Sequence, residues 1–364
     1  MLAVRVLQEQ GVAVTGLSFK SYFFNTESAR KATEQLGIEL LEIDFSDEHL
    51  AMVKNPKYGY GKNINPCIDC HAMMIRKAGE LLTSPQSSPS QGEEEKIPLL
   101  TKEGLGEVFD FIATGEVLGQ RPKSQNKEAL DIVAKYSGVG DLLIRPLSAK
   151  LLDVTEMEKK GLVNRGRLLD IKGRSRQRQM ELAKKYGIKE YPSPAGGCLL
   201  TDPEFSQRLI KLFEYWPECD GNDVEVIKNG RVIWVNAERR EIERGKTRKV
   251  LIVVGRDKEE CEKLEKLAKK GDVMVELKEE NGPLTIVRNS KIPARLASRD
   301  EAGGQETRDK KMELAIPNEL KMSELKLGEE KSEEEILKIA GMLTGYYAPK
   351  ARGRRVKLKV ESKK

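Results

Sequence analysis

No stretch of this 364-residue chain approaches the run of about 18 apolar residues that a membrane-spanning helix requires. A helical membrane protein is therefore excluded. Aromatic residues are sparse at 5%, charged residues reach 34%, and the mean hydropathy is −0.52. The opening MLAVRVLQEQGVAV has neither a basic leader nor a small-residue cleavage site, so the expected location is cytoplasmic. Cysteine is scarce and odd in number, five in all. A disulfide framework would not persist in a reducing compartment, so these thiols must be explained as structural or chemical groups. No internal repeat is present. The net charge of +6 and pI near 8.8 fit a nucleic-acid partner without requiring one.

The length predicts two or three domains. Residues 2–10 carry apolar side chains at helical spacing and end at Gly11, and 12–19 follow as a buried-type strand. ESARKATEQLGIELLEIDF (27–45) repeats the order of helix, Gly37 and strand. DFIATGEV (110–117) and LLIRPLSA (142–149) read as further apolar strands with a helix at 126–138 between them. Alternation of this kind predicts a parallel, doubly wound α/β sheet. The order starts with a helix, so the usual central first strand and its phosphate loop are missing from the pattern.

Residues 83–106, rich in Ser, Pro, Gly and Glu, read as an inserted surface segment, and 298–311 as a solvated loop. From about 224 the texture changes. VEVIKNGRVIWV (224–235) predicts a hairpin turning at Asn229-Gly230, 250–255, 273–278 and 284–289 predict strands, and 258–271 and 333–347 predict helices. With its basic end, 224–364 reads as a separate small α+β domain following a first domain over 1–215.

Residues 65–71 read NPCIDCH. The spelling Cys67-Ile68-Asp69-Cys70-His71 matches c-type haem attachment, but that chemistry normally follows export. The C-x-x-C core also serves zinc, iron–sulfur clusters, dithiol redox centres and sulfur transfer. Structural zinc takes four ligands; no second C-x-x-C exists, and His71 abuts Cys70. Cys198, set after two glycines in PSPAGGCLLTD (192–202), is the natural third thiol. Three cysteines suit a [4Fe-4S] cluster with one open iron, or a thiolate that attacks a persulfide with a second thiol to resolve it; the plain alternative is that Cys198 is a small buried residue. Cys219 and Cys261 have no partner by spacing. Thr114 and Gly115 end the strand at 110–117, where ligands of open α/β sheets bind, with Gly119, Gln120 and Arg121 beyond. RPLSAK (145–150) places Ser148 and Lys150 in the same region. GRSRQRQ (173–179) gathers Arg174, Arg176 and Arg178 as phosphate contacts. The C-terminal segment adds Arg352, Arg354 and Arg355 among eight cations against one acid, Glu361.

Taken in order, NPCIDC, DFIATGEVLGQRPKSQN, RPLSAK, DIKGRSRQRQ and YPSPAGGCLLTDP resemble the tRNA thiouridine synthetases, PP-loop ATP pyrophosphatases of the 4-thiouridine synthetase and 2-thiouridylase branches, over about residues 1–215. From about 224 the chain is similar to a small NFACT-type RNA-binding domain. The resemblance implies an adenine nucleotide alpha hydrolase-like fold lacking its first strand. It also implies ATP with Mg2+ as cosubstrate, tRNA as partner, and a cysteine desulfurase relay or sulfide as sulfur source. ATP would adenylate the uridine carbonyl oxygen, and a persulfide or cluster-bound sulfide would displace AMP. By the same resemblance Cys70 is the attacking cysteine, Cys198 the persulfide carrier, and Cys67 the third member of the cluster-dependent set. Ser18 and Phe19, with Thr114 and Gly115, would meet the adenine and ribose.

Two departures accompany it. The family's S-G-G-x-D-S loop should precede LAVRVLQEQ, where this chain has no residues, and the family lacks the insertion at 83–106. The expectation is a chain truncated before its PP-loop that binds ATP poorly as it stands. The competing readings are a degenerate RNA-binding protein without catalysis and a thiol or desulfidation enzyme acting on free nucleobases.

Overall fold

The computed structural model describes residues 1–82, 109–191, 198–238, 247–290 and 313–363. The expected insertion (83–106), the loop at 298–311 and the Pro-Gly segment at 192–197 lie outside them, wholly or nearly so. The chain divides into two compact units, Met1–Ser206 and Gln207–Lys364.

The first unit is mixed α/β. Helix α1 (Leu2–Gln8) leads to β1 (Gly16–Lys20), then α2 (Glu27–Leu36), β2 (Leu40–Asp44) and α3 (Ser46–Lys54). Gly37 caps α2 in the left-handed conformation that a glycine adopts without a Cβ penalty. Strands β1 and β2 pair in parallel, with Ser18 opposite Glu42 and Phe19 opposite Ile43. Helix α4 (Cys67–Leu82) precedes β3 (Ile112–Ala113); α5 (Lys127–Ser137) precedes β4 (Leu143–Ile144), and β3 pairs with β4 in parallel. The expected strands at 110–117 and 142–149 thus contract to two residues each. Among the described residues the parallel strands form two pairs, not one continuous sheet. The ladder stops where Thr114, Glu116 and Arg145 follow, whose side chains bond one another. Short helices α6 (Glu156–Lys159) and α7 (Gln177–Lys185) follow. Ala3, Val6 and Leu7 of α1 pack with Val117, Ile144, Leu147 and Ile171. Ala72 and Ile75 of α4 pack with Val133 of α5 and Leu143 of β4, which fixes the start of α4 against the second strand pair.

Helix α8 (Pro203–Tyr215) contains the chain position at which the units divide, and α9 (Gly221–Lys228) and β5 (Arg231–Ala237) follow in the second. The hairpin expected at 224–235 is therefore wrong: its first half is helix. Asp220 caps α9 in a reciprocal box with Asp223, and Val224, Val226 and Ile227 are all fully buried. Asn229 bonds back to the Glu225 carbonyl at 2.8 Å, and Gly230 takes φ +68° beneath the Val254 carbonyl. Asn-Gly here ends a helix instead of turning a hairpin.

Strands β6 (Arg248–Val254), β7 (Val273–Leu277), β8 (Thr285–Arg288), β9 (Glu313–Ala315) and β10 (Arg355–Ser362) complete an antiparallel six-stranded sheet in the order β5-β6-β8-β7-β10-β9. Helix α10 (Lys258–Leu267) lies between β6 and β7 in the chain. Helix α11 (Glu333–Tyr346) covers one face, packing Ile336, Ala340 and Leu343 against alternate residues of the strands. Thr344 reaches Thr285 of β8 at 2.8 Å on that face.

The opposite face of β8 carries Arg288, 2% exposed, whose guanidinium binds Asp272 at 2.6–3.1 Å, Asp223 of α9 at 2.8 Å and the Leu267 carbonyl at 2.9 Å. This buried cation ties α9, the end of α10 and β7 to one strand. Arg288→Met leaves buried Asp272 without its counter-charge and Asp223 with Lys269 as its remaining cation, and the expected loss is about 3–5 kcal/mol. Urea unfolding followed by the fluorescence of Trp216 and Trp234 measures it.

Candidate functional site: a three-cysteine centre

Helix α4 starts at Cys67, and Cys70 lies in its first turn with its backbone N–H donating to the Pro66 carbonyl at 2.9 Å. The preceding loop is held to that turn by Asp69, 2% exposed, whose carboxylate accepts from the backbone N–H groups of Lys57 and Tyr58 at 3.0 Å each. The Cys67 thiol donates to the Asn65 side chain at 3.1 Å. Asp69, the middle of the C-x-x-C, is thus an anchor for the loop.

Cys198 arrives from the far end of the unit. The Leu199 N–H donates to the Phe23 carbonyl at 3.0 Å, and Asn63, held at φ +56°, donates from its side chain to the Thr201 carbonyl at 2.7 Å. These two bonds bring the turn carrying Cys198 to the loop carrying Cys67. The three thiols lie within each other's electrostatic reach.

Burial dominates their chemistry. It pushes the Cys70 thiol far up, with the neighbouring Cys198, Cys67 and Asp69 adding to the effect. It raises Cys198 to about 11 against the opposing Leu200 N–H and Arg121. Cys67 is also raised by burial, while Arg121 and Lys123 pull the other way. Without a ligand these thiols rest protonated. Three thiols within electrostatic range are the donor type a [4Fe-4S] cluster uses, but among the described residues no group of three Cys, His, Asp or Glu side chains is placed to hold a metal ion.

His71 turns away from the cysteines. Its Nδ1 meets Glu116 at 2.9 Å, and Glu116 also accepts from Arg145 at 2.8 Å and from the Thr114 hydroxyl at 3.0 Å. Burial would raise the Glu116 carboxyl, but His71 and Arg145 outweigh it and hold the group at about 2. Arg145, itself buried, also binds the Leu130 carbonyl at 3.1 Å. The network joins α4 to the segment after β3, so that Thr114, expected at the nucleotide, is fixed relative to Cys70. Gly115 beside it is exposed, with open space where a Cβ would project.

The other expected residues fall in several places. Ser18 lies within β1, and Phe19 is buried against Phe45 with ring centroids 5.2 Å apart. Lys150 is exposed and bonds the Gly166 carbonyl at 2.8 Å. Arg174 is exposed, Arg176 half-buried at the start of α7, and Arg178 pairs with Asp170 at 2.8 Å. In the second unit Arg352 lies over the Tyr346 ring at 4.8 Å, Arg354 approaches Glu280 at 3.6 Å, and Arg355 opens β10. Cys219 is buried, and Cys261 accepts from the Leu284 N–H at 3.3 Å.

Sequence reasoning missed Asn63, Asn65, Glu116 and Arg145. Glu116 and Arg145 stood inside the quoted motifs, directly after Thr114-Gly115 and at the head of RPLSAK, and a charged residue closing an apolar strand was the available signal. It also missed the buried pair behind Cys198. His49 is fully buried, its Nδ1 2.7 Å from the Ser21 hydroxyl, and its ring is stacked on Phe45 at 4.9 Å and edge-on to Phe23 at 5.5 Å.

A relative with a known activity was found by sequence. The tRNA-specific 2-thiouridylase MnmA 1 of Fusobacterium nucleatum is 24% identical over 237 residues, covering 63% of this chain. The matched region spans 53% of that protein, about half its length. No protein-family model and no solved structure matches the chain. The likeness supports a distant relationship to tRNA thiouridylases.

Two measurements follow from this geometry. Burial lowers the His49 pKa from 6.5 to about 4, so the unfolded chain binds the extra proton first. The neutral imidazole contributes fully above pH 6.5, and stability falls as pH drops from 6.5 to 4, by about 3 kcal/mol at most. Acid unfolding of wild type against His49→Leu reads this, the variant losing the slope in that window. For the cysteines, alkylation by iodoacetamide followed by peptide mass spectrometry should modify Cys67 before Cys198 and Cys70 last. The Cys198 rate should rise about tenfold per pH unit up to pH 10.

Proposed function

We propose that the first unit is the sulfur-handling part of an ATP-dependent tRNA sulfurtransferase on an adenine nucleotide alpha hydrolase-like frame. The support for the proposal is that Cys198, far away in the chain, comes within electrostatic range of Cys67 and Cys70, its turn tied by the Asn63 side chain to the Thr201 carbonyl and by the Leu199 N–H to the Phe23 carbonyl. Similarity to a tRNA-specific 2-thiouridylase supports the same substrate class.

In this reading Cys198 carries a persulfide delivered by a desulfurase relay or formed from sulfide and an oxidant. ATP with Mg2+ adenylates the uridine carbonyl oxygen and releases pyrophosphate. The terminal persulfide sulfur then attacks the activated carbon, and AMP departs with the oxygen. The Cys70 thiolate attacks the Cys198 sulfur, the S–S bond to the transferred sulfur breaks, and thiouridine leaves. The Cys70–Cys198 disulfide that remains is reduced by an external dithiol. Burial of the thiols keeps the persulfide from water until the substrate arrives.

Cys67 is not needed in a two-thiol relay, and its place beside the other two favours a second reading. Cys67, Cys70 and Cys198 would hold a [4Fe-4S] cluster, which supplies an iron site for a sulfide. Anaerobic reconstitution with iron and sulfide distinguishes the two: visible absorbance lost in Cys67→Ala supports the cluster, and no absorbance in wild type supports the relay.

The test of the main proposal is thiolation of a tRNA transcript with ATP, Mg2+ and a persulfide donor by the chain extended upstream through an S-G-G-x-D-S loop, read by retardation on a mercury gel. Cys70→Ser and Cys198→Ser should each lower product at least about 10³-fold, as expected when a nucleophile is removed. Equal product from the double variant would overturn the assignment. Free uracil should not replace tRNA, which excludes the nucleobase desulfidation reading.

A further inference from the structure

The loop at 118–126, LGQRPKSQN, has two cations, Arg121 and Lys123, and no acid. It is fastened on both sides. On one side Leu118 bridges Lys172 in parallel, the Gly173 N–H donates to the Leu118 carbonyl at 2.7 Å, and Gln179 donates to Gln120 at 3.3 Å. The Ser148 hydroxyl, fully buried, clamps the joint by accepting from the Leu118 N–H at 2.9 Å and donating to the Ile171 carbonyl at 2.7 Å. Gly119, at φ +77°, sits where a Cβ would lie 3.4 Å from the Gly173 nitrogen, so the two backbones approach closely.

On the other side, the Lys123 Cγ lies 3.9 Å from where a Cβ on Gly61 would stand. Gly61 donates to the Asn65 carbonyl at 2.7 Å, and the Asn65 side chain receives the Cys67 thiol. Arg121 also acts electrostatically on both Cys67 and Cys198. Lys172, Arg174 and Arg176 in the adjoining segment make no ion pair with any described residue, in contrast to Arg178 with Asp170.

We infer that Arg121 and Lys123 join Lys172, Arg174 and Arg176 in one phosphate-binding surface that carries an RNA backbone to the mouth of the cysteine centre. The inference rests on the proposed tRNA substrate and adds the path by which it reaches the thiols. Five cations on two segments locked by backbone bonds form a fixed array. Successive phosphates of a single strand can meet such an array without base readout. The same array explains why Leu118 and Gly173 need a rigid joint: a hinge there would part the two halves of the surface.

The experiment measures the affinity of the full chain for an unmodified tRNA transcript as a function of salt. For wild type, the slope of log K against log salt should fall by about 2 in Arg121→Gln/Lys123→Gln, about one per lost phosphate contact. Arg121→Lys/Lys123→Arg should restore it, which a folding defect would not allow. The exposed α10 pair Lys258→Gln/Lys266→Gln removes the same charge elsewhere and should leave the slope within about 0.5 of wild type. An equal fall in both double variants would overturn the surface, since net charge alone would then explain it. Inorganic tripolyphosphate that binds wild type but not Arg121→Gln/Lys123→Gln, with the tRNA slope unchanged, would also overturn it and assign the cations to a nucleotide. Loss of slope in the double variant, with no thiolation by the upstream-extended chain, leaves the surface standing and removes the catalytic reading, so the two failures are distinct.

Discussion

One buried carboxylate organises the first unit. Glu116 receives His71 from the cysteine helix, Arg145 from the segment after β4 and the Thr114 hydroxyl from its own strand end. A charge at this depth is tolerated only when its lone pairs are filled, and here three donors from three segments fill them. Removing any one would leave the others around an unsatisfied anion. The direction of α4, and with it the placement of Cys67 and Cys70, is therefore coupled to the strand pair that α4 also covers through Ala72 and Ile75. Apolar packing brings these elements together, and Glu116 fixes their register.

The cysteine centre is built by a different principle. Its members come from two distant segments, and the bonds that unite them are few and directional: an asparagine side chain to a carbonyl, and a backbone N–H to the Phe23 carbonyl. Behind Phe23 stands a closed aromatic group of Phe45, Phe24 and the neutral His49. Rigid packing thus backs one wall of a centre whose other wall is a loop pinned by Asp69. The proposed sulfur transfer would use that combination, with the thiols shielded from water and the segments that carry them parting to admit a base.

Much of this was legible in the sequence. Helices α1, α2 and α5 followed from apolar spacing and glycine stops, and Gly37 took the left-handed cap its position implied. The glycines before Cys198 singled it out as a candidate third thiol, and its turn is tied to the segments of Phe23 and Asn63. The strands after 110 and 142 were overextended because apolar residues continue past the last ladder bond, and periodicity does not register where a hydrogen-bond ladder ends. Residues 224–228 were misread for the opposite reason. Val224 and Val226 flank Glu225 as in a strand, and this alternation masked the helical period of the half-buried Asn222, Glu225 and Lys228. The capping pair Asp220 and Asp223 was the signal that decided it. Long-range partners such as Asn63 with Thr201, or Glu116 with Arg145, carry no local pattern at all.

The basic C-terminal segment looks different once folded. Residues 355–362 are a strand lying between β7 and β9, with Val356 and Leu358 in the core of the second unit. Lys359 faces Glu276 at 3.0 Å and Lys357 faces Glu279 at 3.0 Å, so much of the charge that reads as a free polycation is already balanced across the sheet. For anyone shortening or tagging this chain, the end is not a trailing appendage that can be trimmed for convenience. Cutting before Arg355 would withdraw an interior slat from the sheet, strand β9 without its neighbour and expose two open edges to aggregation.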